Sequence, residues 1–191
     1  LPVTESTAQG IALPARQWRP VGFSFNPTDG TPDAIVGDGA YESDDWRVVV
    51  WQPQDGGGDW LHYAGQQSSW FTWRPGSVAW VMVNTARTLE RPAGMTLPQD
   101  TTLTFTVAQN DWLDFTLPFA IDNGVPFAAI KEATRAPDTS YIVWEIDNGA
   151  YRLISDPLSH VVPDSARCRP GHFYSVRNRR AWDLQLRVPP I

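Results

Sequence analysis

The stretch YIVWEIDNGAYRLI, residues 141–154, decides the fold that the sequence predicts. Two β-favouring runs in it flank Asp147, Asn148 and Gly149. Asn and Gly tolerate the positive φ angles of a tight turn, so the arrangement predicts a β-hairpin.

Residues 46–63 repeat this arrangement around a glycine-rich turn, which is one sign of an internal duplication. Residues of several types recur at an offset of 94 or 95 positions. The matched sets are Trp18 and Trp112, Phe25 and Phe119, Pro32 and Pro126, Arg74-Pro75-Gly76 and Arg169-Pro170-Gly171, and Leu89 and Leu184. A period this long indicates two copies of a domain-sized unit rather than a solenoid repeat.

Both copies have the same order of predicted elements. Each opens on a segment with alternating apolar residues, the pattern of a half-buried strand. The elements predicted in the two copies are opening strands at 18–25 and 112–119, helical turns at 32–36 and 126–130, strands at 78–83 and 173–176, and last strands around Leu89 and Leu184. Only residues 128–133 have a helix-favouring composition, and this segment is too short to be stable alone. We therefore predict an all-β fold of two tandem β-sandwich-like modules with very little helix.

The predicted module boundaries follow from the duplication. Residues 15–100 form the first copy and residues 101–191 form the second. Residues 1–14 show little periodicity, which predicts a loose leader or a strand exchanged with a neighbouring unit. Such an unpartnered extended segment would allow assembly by strand addition to a neighbour's sheet edge.

The composition excludes several classes of protein. The 191 residues carry a formal net charge of −6 without a basic cluster, which argues against a nucleic-acid partner because phosphate binding needs concentrated Lys and Arg. No apolar run reaches the roughly 18 to 20 residues of a transmembrane helix. The chain has one cysteine, Cys168, and so no internal disulfide. It starts at Leu1, as expected of a processed chain or a piece of a longer one.

The motifs resemble those of tandem β-sandwich-like accessory modules near the ends of large secreted and surface proteins of bacteria. Those modules have a GW-N-L-I-x-x-P opening, a hairpin with aromatic residues and a later P-G-x-x-Y-W-V motif. The matching segments here are 18–25 and 112–119 for the opening, and 75–81 and 170–174 for the later motif. The Gly expected before the opening Trp is Gln17 in one copy and Asp111 in the other. The resemblance implies an extracellular, non-catalytic module that contacts neighbouring domains or protein subunits, and it brings no catalytic residues.

The first copy contains an acidic loop region that suggests a calcium site. Its carboxylates are Asp29, Asp33, Asp38, Asp44 and Asp45. Calcium takes six to eight hard oxygen ligands, and acidic loops often supply them. The alternative is that these residues are solvated turn formers, which bond their own backbone. No other cofactor is expected.

The tryptophans suggest a binding surface, since flat aromatic rings pack against the CH-rich faces of sugars and are frequent in protein interfaces. The residues predicted to be exposed for a polysaccharide ligand are Trp60, Tyr63, Trp70 and Trp73. The duplication offers another interpretation, because an aromatic that both copies retain is expected to pack in the shared core. The retained pairs are Trp18 and Trp112, Trp46 and Tyr141, and Trp60 and Tyr151. Trp70, Phe71 and Trp182 have no aromatic counterpart, so they are expected either to cover the junction between the copies or to bind an external ligand.

Catalytic motifs are weak in this sequence. His62, His160 and His172 share no metal-ligand spacing. Cys168 has Trp73 as its counterpart in the other copy, which indicates a packing position rather than a nucleophile.

Three carboxylates lie within predicted strands. Asp114, Glu145 and Asp183 alternate with apolar neighbours, so we expect all three to face solvent. Arg177, Arg179 and Arg180 are expected on a solvated edge strand.

Three functions are consistent with these patterns. The first is a non-catalytic extracellular structural or adhesive module of a larger secreted or surface assembly. The second is a carbohydrate-binding module that uses exposed Trp residues. The third and weakest is a glycan hydrolase with a carboxylate pair, which would need two carboxylates about 5 to 10 Å apart.

Overall fold

The computed structural model describes residues 10–37, 45–54, 58–65, 69–90, 92–98, 100–119, 123–136, 141–147, 150–155 and 166–190. Within these ranges the chain is mostly β-strand with two short helices, as the sequence predicted. The strands are β1 Ile11–Leu13, β2 Arg19–Gly22, β3 Asn26–Pro27, β4 Trp46–Gln52, β5 Asp59–His62, β6 Val78–Val83, β7 Arg87–Leu89, β8 Gly94–Met95, β9 Leu103–Val107, β10 Trp112–Thr116, β11 Val125–Pro126, β12 Tyr141–Asp147, β13 Ala150–Ser155, β14 Arg167–Cys168, β15 Phe173–Asn178 and β16 Leu184–Val188; the helices are α1 Pro32–Val36 and α2 Phe127–Thr134.

Two four-stranded antiparallel sheets form the framework. The first has the strand order β2-β6-β4-β5, and the second has the order β10-β15-β12-β13. Successive side chains on a strand point to opposite faces, so each sheet has an inner and an outer face. The inner face of each sheet packs on its own hydrophobic core, with Val21, Val48 and Val81 in the first and Phe115, Val143 and Tyr174 in the second.

Two-stranded sheets complete each half. In the first half β1 pairs with β7 and β3 pairs with β8. In the second half β9 pairs with β16 and β11 pairs with β14. The expectation that the leader has no partner of its own is wrong for its last residues, since Ile11 lies opposite Leu89 and Leu13 opposite Arg87. Leucine and isoleucine side chains at these positions extend the first core, which explains the pairing; residues 1–9 lie outside the described ranges.

The helices are short, and one is held by a local cap and the other by packing on a strand distant in sequence. Thr31 caps α1, where its side chain accepts a hydrogen bond from the Ala34 N–H at 3.4 Å. Helix α2 contains the segment predicted to be helical and packs on β16, where the Arg187 N–H donates to the Thr134 hydroxyl at 3.1 Å. None of the helices in the described ranges is long and apolar enough to cross a membrane.

The two Arg-Pro-Gly motifs form similar turns before β6 and β15. Gly76 has a φ angle of 80° and Gly171 has one of 75°. Residues other than glycine rarely adopt this backbone conformation. At Gly76 a Cβ atom would also lie only 2.5 Å from the Phe105 ring. Glycine at these two positions is therefore a requirement of the turn, which explains why the motif occurs twice.

The prediction of a solvated edge strand for the arginine cluster is wrong. Strand β15, which contains Arg177, lies between β10 and β12 and is central in its sheet. The Arg177 side chain reaches solvent from the outer face instead, and its guanidinium lies 5.2 Å from the centre of the Trp112 ring.

The outer faces of the two large sheets pack on each other. Val49 and Trp80 of the first sheet form a third apolar cluster with Ile146 and Phe173 of the second. The backbone joins the halves as well, since the Thr116 N–H donates to the Gly76 carbonyl at 3.0 Å. A surface that would face water in an isolated sheet is thus covered by a second sheet.

Candidate functional site

An aromatic cleft lies between the outer faces of the two large sheets. The first sheet contributes Trp51, Trp60 and Trp80, one from each of three neighbouring strands. Trp51 and Trp60 lie directly opposite each other in the register of β4 and β5. Their rings meet edge to face with centroids 5.3 Å apart, and Trp60 meets Trp80 in the same way at 6.3 Å. Trp60 keeps 41% of its surface exposed in this arrangement, so the wall presents aromatic surface to the cleft.

The second sheet supplies the opposite wall. Trp112 and Trp144 pack with ring centroids 5.1 Å apart, and Tyr151 lies on the neighbouring strand β13. Asp114, Ser175 and Trp144 form one row across β10, β15 and β12, because the register places Ser175 opposite both of the others. A polar pair therefore sits in the middle of an aromatic wall.

Two connected cavities make up the cleft. The larger has a volume of about 430 Å³ and is lined by Trp51, Trp60, Trp112, Asp114, Trp144, Tyr151 and Ser175. The smaller has a volume of about 370 Å³ and is lined by Trp18, Val49, Trp60, His62, Trp80 and Tyr151. Trp60 and Tyr151 line both cavities and keep 41% and 56% of their surface exposed. The result is an extended, mostly apolar groove of the size that small-molecule sites have.

Asp114 is the acidic group of the larger cavity. Its Oδ2 accepts a hydrogen bond from the Trp80 indole N–H at 2.8 Å, across the interface between the sheets. Burial raises the pKa of Asp114, while hydrogen bonds from Trp80 and Ser175 act in the opposite direction. Burial also raises the pKa of the Tyr151 phenol, and the charge of Asp114 raises it further. Asp114 is thus a desolvated carboxyl group whose negative charge acts on other groups that line the cleft.

Asp111 is a second carboxylate, and it bonds a tryptophan that lines the same cavity. Its Oδ1 accepts hydrogen bonds from the Trp51 indole N–H and from the Trp112 backbone N–H, both at 2.7 Å. Its side chain is buried, and within the described ranges Oδ2 has no hydrogen-bond partner. The turn before β10 fixes this residue, because Asn110 has a left-handed φ angle of 52° and the Asp111 carbonyl accepts from the Asn178 N–H at 2.9 Å.

Of the four aromatics predicted to bind a ligand, the cleft contains Trp60 alone. Tyr63 and Trp73 were expected to be exposed, and this is wrong, since both lie in the first core. The Tyr63 ring stacks on Trp46 at 5.8 Å, and its hydroxyl donates to Asp33 at 2.7 Å. The Trp73 indole N–H donates to the Val21 carbonyl at 2.8 Å. The Tyr63 hydroxyl and the Trp73 indole N–H each have a hydrogen-bond partner inside the fold, so burying these side chains costs little free energy.

Trp70 is exposed as predicted, but it is not part of the cleft that contains Trp60. It keeps 47% of its surface exposed and lines neither cavity of the cleft. The four predicted aromatics therefore do not form one platform. Phe71, which follows it, is buried against Tyr63 with ring centroids 5.2 Å apart.

The packing role predicted for the three retained aromatic pairs holds for one pair and fails for the other two, since Trp18 and Trp112 line the cleft. Trp46 and Tyr141 are both buried in their cores. Trp60 and Tyr151 instead line both cavities of the cleft. The residues missed by sequence reasoning are Trp51, Trp80, Trp144, Asp111 and Ser175. Three of these residues, the tryptophans, could have been found from the sequence. Each occupies a position of a predicted strand whose side chain points away from the core.

Asp114 and Glu145 were expected to face solvent, and this is wrong for both, whereas Asp183 is exposed. Glu145 lies on the inner face of β12 beside the second core. One carboxylate oxygen bonds His172 Nδ1 at 2.7 Å, and the other bonds the Arg152 guanidinium. Burial would raise the pKa of Glu145, but the hydrogen bonds and charges of His172 and Arg152 together hold it below its ordinary value.

The lowered pKa of Glu145 predicts that the stability of the fold depends on pH. A carboxyl group whose pKa is lower in the folded state stabilises the fold above its unfolded pKa, here near 4.5, and this contribution is lost as the pH falls through the folded value. We expect the free energy of unfolding of the wild type to fall more steeply below pH 4.5 than that of Glu145→Gln. Urea titrations between pH 3 and pH 7 measure both slopes. Glu132→Gln, an exposed change on α2, is the control and should follow the wild type; a Glu145→Gln slope equal to that of the wild type would contradict the assignment.

The predicted calcium ligands have local partners where they are described. Asp29 accepts hydrogen bonds from the Thr31 N–H and hydroxyl at 2.9 and 2.8 Å, and Asp33 accepts from Tyr63. Within the described ranges, no three acidic, His or Cys side chains lie close enough together to hold a metal. Asp38 and Asp44 lie outside those ranges, while Asp45 precedes β4.

Cys168 is fully buried in the second core, which agrees with the predicted packing role. Burial raises the pKa of its thiol well above the ordinary range, so the reactive thiolate is disfavoured. Among the histidines, His62 lines the smaller cavity and His172 bonds Glu145; His160 lies outside the described residues.

Comparison of the chain with protein-family models, with curated proteins and with solved structures finds no match in any of the three. The candidate site therefore has to be interpreted from its own geometry and chemistry.

Proposed function

We propose that this chain is a glycan-binding module and that the aromatic cleft holds the sugar. The observation that supports this most is the groove itself, in which Trp60 and Tyr151 present partly exposed rings to two adjoining cavities. Sugar rings have apolar CH faces and polar edges. A wall of aromatic faces with a few carboxylate and hydroxyl groups suits both features.

The length of the groove favours an oligosaccharide over a single sugar. The two cavities together offer more room than one hexose needs, and each has its own polar groups. His62 lies in the smaller cavity, and Asp114 and Ser175 lie in the larger. One sugar unit would occupy each cavity, with Trp60 and Tyr151 at the linkage between them.

We also propose that the two halves are copies of one module. The same strand order in the two large sheets supports this, as does the equivalent placement of the β1–β7 and β9–β16 pairs. Under this proposal the first copy begins at β1 rather than at residue 15. The binding site then lies between the copies, at a surface that neither copy has alone.

The location and assembly that we propose are those that the sequence suggested. We propose that the module is extracellular, that it binds rather than cleaves its glycan, and that it serves a larger secreted or surface assembly. A purely structural role is the second candidate. The Trp51–Asp111 and Trp80–Asp114 hydrogen bonds favour it, because they fasten the two halves together.

Intrinsic fluorescence tests the glycan proposal, since the cleft contains several indoles. The protein is titrated with soluble oligosaccharides of four to six units that differ in linkage and in amine content. We expect at least one to give a saturable change in emission, with no release of reducing ends on prolonged incubation. A flat response across the panel would contradict glycan binding and leave the structural role, whereas new reducing ends would contradict the non-catalytic assignment.

A further inference from the structure

We infer that the cleft selects glycans that carry a protonated amine, such as a glucosamine unit, over their neutral N-acetylated forms. This inference rests on the proposed glycan-binding function and specifies its ligand class. It is carried by the carboxyl group of Asp114, which lines a cavity walled by aromatic rings, and by the buried Asp111, which bonds one of those rings.

The first step concerns charge. Asp111 lies just before β10 and Asp114 lies three residues further on, within it; each accepts an indole N–H from the opposite sheet. Within the described ranges neither forms an ion pair, and their partners there are the neutral groups of Trp51, Trp80, Trp112 and Ser175. A cation bound beside Asp114 would favour its charged form and supply the ion pair that the protein itself does not provide, so a cationic ligand suits this cavity.

The second step concerns the buried acceptor. Asp111 is 1% exposed, and its Oδ2 lacks a hydrogen-bond partner among the described residues. Its other oxygen bonds Trp51, which lines the larger cavity. Asp111 itself does not line the cavity, so its charge acts on a bound cation from behind Trp51, while Asp114 is the carboxyl group that a ligand can contact. An ammonium group offers Asp114 three hydrogen-bond donors, whereas an N-acetyl group offers one and adds a carbonyl acceptor.

The third step concerns the aromatic walls. Cations are attracted to the faces of aromatic rings, most strongly to Trp, and boxes of such rings recognise ammonium ligands. Trp51, Trp60, Trp112 and Trp144 surround the cavity that contains Asp114. The protein already uses one of these rings for a cation, since the Arg177 guanidinium lies 5.2 Å from the centre of Trp112. The same rings stack on the CH faces of a sugar, so an amino sugar satisfies both preferences at once.

The experiment compares two ligands of equal length. A glucosamine tetramer and its fully N-acetylated form are titrated at pH 6 and constant ionic strength, where the free amines are protonated. We expect the amine form to bind about tenfold more tightly, the size of effect that a desolvated cation–π contact and charge pairing give. Asp114→Asn should bring the ratio of the two affinities close to one, because it weakens the binding of the amine form more than that of the neutral form.

Two controls keep the test decisive. Glu132→Gln makes the same change in net charge at an exposed site on α2 and should leave the ratio unchanged. Tetramethylammonium chloride, added to the wild type, should displace the glucosamine tetramer more effectively than the same concentration of sodium chloride. This second measurement does not depend on the folding of a variant.

The outcomes separate the two proposals. If both tetramers bind with equal affinity and tetramethylammonium has no effect, the amine inference is wrong and glycan binding stands. If neither tetramer nor any other glycan binds, the proposed function is wrong and the inference falls with it.

Discussion

Replacing Trp60 with alanine is expected to weaken glycan binding by roughly 30-fold or more, which is the loss typical of a central aromatic hot spot. Trp60 lines both cavities of the cleft and contacts Trp51 and Trp80 edge to face. Its removal would merge the cavities into a wide opening and take away the ring at the centre of the groove. Because the side chain is partly exposed, the free energy of unfolding should change little. Isothermal titration of the tightest ligand measures the loss.

The matched control for this change is Trp70→Ala. Trp70 is as exposed as Trp60 but lines neither cavity, so its removal deletes the same surface chemistry elsewhere. We expect the affinity of the Trp70 variant to equal that of the wild type. Equal losses in both variants, or full affinity in the Trp60 variant, would be incompatible with binding in the cleft.

Replacing Trp46 with alanine is expected to lower the free energy of unfolding by about 3 to 5 kcal/mol, the usual cost of truncating a buried aromatic. Trp46 is among the largest fully buried side chains, and it stacks on Tyr63 with the ring planes 15° apart. Alanine would leave a cavity beneath the first sheet. Chemical denaturation followed by circular dichroism gives the difference.

Trp46→Tyr tests whether the halves are copies of one module. Tyr141 is the counterpart of Trp46 under the duplication, and it is buried in the second core. If the positions are equivalent, tyrosine should fit the first core at a cost below about 1.5 kcal/mol, as conservative core changes do. A loss as large as that of the alanine variant would count against equivalence of the two sites.

The strands could be predicted because their signals are local. The predicted strand at 78–83 matches β6, Val78–Val83, and the predicted hairpins appear as β4–β5 and β12–β13. Alternation and turn chemistry act within a few residues, so they do not depend on the rest of the fold. The helical segment was found for the same reason.

The faces of those strands could not be assigned from the sequence. Alternation shows that two faces differ, but it does not show what covers each one. Asp114 was expected in solvent because it alternates with apolar neighbours, yet its face of the second sheet is covered by the first sheet. Tyr63 and Trp73 were misplaced for the opposite reason, since their polar atoms find partners inside the core.

The cleft was missed because it exists only where the two halves meet. Trp51 and Trp80 of the first half reach Asp111 and Asp114 of the second, across sequence separations of 60 and 34 residues. No periodicity within one half encodes that contact. A search confined to motifs along the chain therefore finds the aromatics but not the site that they form.

The indole N–H signals of the ten tryptophans test the central claim most directly. They are followed in two-dimensional ¹⁵N–¹H spectra as each glycan of the panel is added, with assignments from single Trp→Phe variants. We predict that the signals of Trp51 and Trp80, whose N–H groups bond Asp111 and Asp114, shift with a saturable dependence on a bound glycan, while the signal of the core residue Trp73 stays in place. Unchanged cleft signals across the panel, or shifts confined to Trp70, would contradict a glycan site between the two sheets.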